Sequence, residues 1–109
     1  MAEASDRTYQ RQLSELGATH DVVIVDFWAD WCAPCKQLTP KLHKLVDETP
    51  TAALLTFEAG TDKHPSTAVP AEYGITNLPV VLVFRRGELV ADLRGDSQRI
   101  LRGAKEQLG

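Results

Sequence analysis

Residues 23–35 read VIVDFWADWCAPC and hold the chain's two cysteines, Cys32 and Cys35. Three chemistries use a Cys-x-x-Cys spacing. Half of a zinc site is the first, but structural zinc takes four ligands, usually a second such pair or two closely spaced histidines. His20, His43 and His64 are scattered and form no His-x-x-x-His pair, so no metal is expected. A structural or incidental disulfide is the second; closing so short a loop constrains the unfolded chain little, and nothing in the composition suggests an oxidising compartment. A redox dithiol is the third, and physics favours it. A strand, a short loop and then a helix place Cys32 at a helix N-terminus, where unpaired N–H groups and the macrodipole favour a thiolate. Cys35 follows on the same face of that first turn, near enough to form and break a bridge. Pro34 suits the first turn, where its missing N–H is not needed. Cys32 is therefore expected to be the exposed nucleophile, and Cys35 the shielded thiol that resolves a mixed disulfide.

Asp26 stands in the middle of the apolar run before the cysteines. An ionised carboxylate in such surroundings is costly unless paired or protonated. Burial raises the pKa of Cys35, which must lose a proton before it attacks. A carboxyl with a raised pKa on the neighbouring strand suits that transfer near neutral pH, directly or through a water. The competing reading of Asp26 is a hydrogen-bonded polar group of the core.

The elements that must position these groups follow from periodicity. Ser5 and Asp6 precede a helix carrying Tyr9, Leu13 and Leu16, which Gly17 is expected to end. Val22 to Trp28 is too apolar for a surface strand and reads as a central one. From Pro34, the spacing of Leu38, Leu42, Leu45 and Val46 predicts a helix, interrupted by Pro40 and stopped at Thr49-Pro50. Ala52 to Phe57 is the next strand, reached by a right-handed parallel crossover. A loose polar stretch, EAGTDKHPST, leads to a short helix ending near Tyr73-Gly74. Val80 to Phe84 and Glu88 to Arg94 flank Arg-Gly as an antiparallel hairpin. Asp96 and Ser97 cap a last helix that turns Ile100, Leu101, Ala104 and Leu108 inward. The sum is one α/β domain over residues 1–109: a four-stranded mixed sheet with helices on both faces.

The 109 residues are 43% hydrophobic with a formal net charge of −3, which suits one ordinary globular core. No apolar run approaches the roughly 18 residues of a membrane helix. The start, MAEASDRTYQRQLSEL, has no basic-then-apolar pattern of a secretory signal, so a cytoplasmic location is expected. Arg85, Arg86, Arg94, Arg99 and Arg102 give the last third a positive excess. Acids interleave with them, which reads as a solvated face and not as a nucleic-acid surface.

These residues resemble the thioredoxin family over almost the whole chain. Asp26-Phe27-Trp28-Ala29-x-Trp31-Cys32-x-Pro34-Cys35-Lys36 is similar to its active-site run, and Pro40 to its helix-kinking proline. Leu78-Pro79 with the Val80–Phe84 strand resembles its proline loop, Gly87 its hairpin glycine, and Gly95 the glycine bordering its substrate groove. The resemblance implies a thioredoxin fold and a thiol–disulfide oxidoreductase without a cofactor. It implies that Pro79 is cis and faces the dithiol, leaving the Leu78 backbone to pair with an extended client segment. Trp31, Ala33, Pro34, Leu78 and Gly95 would form a flat apolar surface around Cys32. The partners implied are disulfide-containing client proteins and a flavoprotein thioredoxin reductase as electron donor, with the chain a monomer.

The sequence also departs from the family's usual pattern. Ala33 replaces a common glycine between the cysteines, and Val80 a threonine often found after the proline. Glu58 falls where a lysine near the buried aspartate is usual, and an acid there would raise the Asp26 pKa further if the two approach. The segment EAGTDKHPSTAVPAEYG is about two residues longer than expected, and MAEAS lacks the apolar pattern of a first edge strand. A general protein-disulfide reductase is the leading reading. A dedicated single-client reductant, or an oxidase or isomerase, is the second. A non-catalytic binding module of the same fold is the third; an intact Trp-Cys-x-Pro-Cys with Asp26 argues against it.

Overall fold

A computed structural model describes residues 2–59 and 67–108. In chain order the elements are β1 (Ala2–Ala4), α1 (Tyr9–Thr19), β2 (Val22–Trp28), α2 (Ala33–Asp47), β3 (Ala52–Glu58), α3 (Ala68–Glu72), β4 (Val80–Arg85), β5 (Glu88–Arg94) and α4 (Ser97–Leu108). The strands form one sheet in the order β1-β3-β2-β4-β5. β2 runs parallel to β3 and antiparallel to β4, so it is hydrogen-bonded along both edges. That placement explains a strand with six of its seven residues buried.

Alternation along β2 divides the core in two. Val23, Val25 and Phe27 pack with Leu55, Phe57, Leu82 and Tyr9 on one face. Val22 and Ile24 pack with Leu54, Val81 and Val83 under Leu38 and Leu42 of α2 and Ile100 and Ala104 of α4 on the other. Each large side chain so buried contributes about 1.5–3 kcal/mol. Tyr9, Phe27, Phe57 and Tyr73 form a cluster of tilted and edge-on rings with centroids 5.2–6.3 Å apart. The Tyr9 and Tyr73 hydroxyls meet at 2.8 Å, fastening α1 to the turn after α3.

The sheet has five strands where the sequence led us to expect four. β1 is only three residues long and pairs parallel with β3, Ala2 opposite Leu55 and Ala4 opposite Phe57. Its two alanines do pack against the core, but they are too few and too small to show as a hydrophobic pattern. Gly17 does not end α1; the helix continues to Thr19, and the His20 amide donates to the Leu16 carbonyl. Asp6 caps a different helix from the one beside it in sequence. Its carboxylate accepts the Ala68 and Val69 amides, the first two of α3, at 3.1 and 2.9 Å. Asp96 caps α4 as expected, accepting the Arg99 amide at 2.8 Å. Most of the polar stretch before α3, including His64, lies outside the described residues.

Candidate active site

β2 ends at Trp28, and a tight turn closed by the Cys32 amide on the Ala29 carbonyl (3.1 Å) leads straight into α2. Cys32 is the N-cap of α2: its backbone is extended, and its Sγ accepts the Cys35 amide at 3.3 Å. Pro34 sits in the first turn and Pro40 inside the helix. Cys32 and Cys35 are bridged, with Cα atoms 5.3 Å apart. Cys32 was expected to be exposed, and it is not: both cysteines are buried in the bridged state. Cys32 is 4% exposed and Cys35 is fully buried. Ala29, Trp28 and Leu78 pack around the bridge.

Asp26 is fully buried on β2, between Thr56 of β3 and Val81 of β4. Its Oδ2 accepts the Thr39 hydroxyl at 2.6 Å. Its Oδ1 is buried and makes no hydrogen bond among the described residues. Burial raises the Asp26 pKa to about 6, and the Thr39 hydrogen bond opposes the rise. Glu58 stands opposite Trp28, one pair beyond Asp26 on that face. Thr39 lies one helical turn after Cys35 on α2, so both project from the same face of the helix. The helix thus brings Cys35 and the partner of Asp26 to the side of α2 that faces β2.

The Leu78–Pro79 peptide bond is cis, as the resemblance implies. Pro79 is buried, and Leu78 is half-buried against the cysteines. Gly95, at φ +115°, is the residue after the Val80–Arg94 pair, which sets it beside Pro79. Trp31, Ala33 and Pro34 are exposed, Trp31 at 63%. Trp31 and Leu78 also wall a cavity of about 290 Å³, whose other side is formed by Pro70 and Ala71 of α3 with Ile75 and Thr76. Those four residues and Thr39 were not singled out in the sequence. A mid-helix threonine carries no signal until the strand beneath it is known, and the cavity joins segments some forty residues apart.

Residues 1–105 match the family model described as Thioredoxin. Over 78 residues the chain is 40% identical to a thioredoxin of Mycoplasma pneumoniae, covering 72% of each. It is 32% identical over 93 residues to one of Chlorobaculum thiosulfatiphilum, covering 85% of this chain and 81% of the relative. Among solved structures, thioredoxin f2 of Chlamydomonas reinhardtii superposes with a TM-score of 0.80 at 25% identity, over 98% of this chain and 94% of that one. With a bridged Cys-x-x-Cys capping α2 over a buried carboxyl, the chain belongs to the thioredoxin family of thiol–disulfide oxidoreductases.

Proposed function

We propose that this chain works as one domain, a general protein-disulfide reductase and electron carrier of a reducing compartment such as the cytoplasm. The observation that carries the reading is the inequality of the two cysteines. Cys32 Sγ, at the N-cap of α2, receives the Cys35 amide and keeps 4% of its residue surface exposed, while Cys35 is fully buried. An N–H aimed at sulfur and the positive helix end both stabilise a thiolate on Cys32.

In the reduced state the Cys32 thiolate attacks one sulfur of a client disulfide. A Cys32–client S–S bond forms, the client's own S–S bond breaks, and the departing client thiolate takes a proton from solvent. Cys35 then gives its proton to Asp26 Oδ1, the carboxyl oxygen that accepts no hydrogen bond among the described residues, and attacks Cys32 Sγ. The Cys32–Cys35 bond forms, the mixed disulfide breaks, and the second client thiolate leaves. Two electrons have passed from the dithiol to the client, and the bridged pair is the state described here. Asp26 returns its proton to solvent, and a flavoprotein thioredoxin reductase restores the dithiol. Leu78, beside the cis Pro79, pairs with an extended client segment, and Trp31, Ala33, Pro34 and Gly95 make the contact surface.

The test is trapping on a disulfide-bearing protein such as insulin. Cys35→Ser is expected to accumulate a mixed disulfide through Cys32, and Cys32→Ser to abolish turnover and trap nothing. Trapping by Cys32→Ser alone would reverse the two roles.

A further inference from the structure

Arg94, the last residue of β5, lies at the surface, yet its guanidinium is held by four hydrogen bonds. Nε and Nη2 donate to the two Asp92 oxygens at 2.8 and 3.2 Å, Nη2 donates to the Tyr73 carbonyl at 2.7 Å, and Nη1 to the Gly74 carbonyl at 3.0 Å. The Asp92 contact fixes the plane of the fork and neutralises it. The two carbonyls belong to the turn that ends α3, with Gly74 at φ +64°.

That turn opens directly into residues 75–78. There, Ile75, Thr76 and Leu78 form one wall of the cavity beside Trp31, and the chain then enters the cis Pro79. On the other side, Arg94 pairs with Val80 and precedes Gly95. One side chain therefore spans the approach to the cysteines, from the Gly95 end of β5 to the root of the 75–78 wall. The backbone bonds at this root, from the Tyr73, Gly74 and Ile75 amides to the Pro70 and Ala71 carbonyls, stay within the same segment. Outward, the Tyr73 hydroxyl meets Tyr9 and the Tyr73, Ile75 and Leu78 side chains pack on the core, while Arg94 holds the backbone itself.

We propose that Arg94 is a positioning residue for client recognition, a brace that holds the 75–78 wall in its client-binding position. The inference rests on the reading that protein disulfides are reduced at this site. Without the brace, the wall divides its time between competent and displaced positions, and apparent affinity falls by the competent fraction. The chemistry at sulfur should be untouched, because the four hydrogen bonds of Arg94 go to Asp92, Tyr73 and Gly74 and none of them to a cysteine.

Arg94→Met should therefore raise KM for insulin reduction about three- to ten-fold, the scale of losing one ordinary net hydrogen bond at an exposed site. The kcat should stay within about two-fold, since a client already bound selects the competent wall. Reduction of 5,5′-dithiobis(2-nitrobenzoate), too small to need the wall, and the reduction potential should match wild type. Arg94→Lys keeps the charge but presents a point donor instead of a planar fork, so its KM should fall between the two; it carries the test if the methionine variant does not fold. An unchanged KM in both variants overturns the brace, as does an equal loss with the small disulfide. A wild-type chain that reduces neither substrate overturns the reading of the site, and this inference with it. Wild-type turnover of both with no KM change overturns the brace alone.

Discussion

Thr39 donates its hydroxyl to Asp26 across the interface between α2 and β2, at 2.6 Å. Among the described residues it is the one side chain that eases the carboxylate's burial. Burial still outweighs that bond and leaves the pKa at about 6 against an ordinary 3.8.

A raised carboxyl pKa destabilises the folded state at high pH. Between about pH 4 and 6 the unfolded chain has released the Asp26 proton and the folded chain has not, so stability falls as pH rises through that window and levels off above it. The full effect is about 3 kcal/mol, from roughly two pKa units. Asp26→Asn in the disulfide form should remove that slope and raise stability at pH 8 by up to this amount, measured by urea unfolding across pH. It should also slow reduction of a protein disulfide near neutral pH. An unchanged rate with lower stability would make Asp26 a structural residue only.

Removing the hydroxyl while keeping the shape isolates the hydrogen bond. Thr39→Val should push the Asp26 pKa further up, by about half a unit to one unit, because a bond to the charged form is lost. The pH midpoint of the resolving step should move up with it, and stability at pH 7 should fall by about 1–2 kcal/mol. A pH–rate profile in which wild type and variant coincide would separate Thr39 from the proton transfer.

Asp6 and α3 offer a test of the scaffold. Asp6→Ala frees the amides of Ala68 and Val69 and should cost about 1 kcal/mol, the usual worth of a helix N-cap. In a domain of this size that lowers Tm by roughly 4–8 °C. Thermal unfolding followed by circular dichroism reads it directly, and a shift under about one degree would show that the cap contributes nothing.

The reduction potential decides which way electrons flow. Trp28 packs against the bridge, so its fluorescence should report the couple during equilibration with a thiol buffer. We expect a value below about −250 mV, as a reductase in a glutathione-containing compartment requires. A value above about −180 mV would assign the chain to oxidation or isomerisation.

The sequence showed most clearly what local physics controls. β2 and β5 have the bounds that their residue patterns predict, since an all-apolar run and a two-residue hairpin leave little choice. Cys32 capping α2 followed from strand, loop and helix order alone. What stayed hidden depends on contacts distant in sequence. Asp6 looked like a cap for α1 because it precedes it, yet its partners are some sixty residues away. Arg94 looked like one of several solvated arginines, because its carbonyl partners come from a turn twenty residues earlier. β1 was missed because two alanines suffice for an edge that needs only β3 beside it.

The middle position of β2 has a mechanical consequence. A client joined to Cys32 is tethered through three residues to the end of a strand laced on both edges, to β3 and to β4. Thermal tugging by a large client is passed into the segment whose opening requires the whole sheet to come apart. The outer strands β1 and β5 can fray, but the anchorage under the mixed disulfide does not yield with them. In the proposed mechanism the covalent intermediate is therefore held against a fixed base while Cys35 completes the exchange.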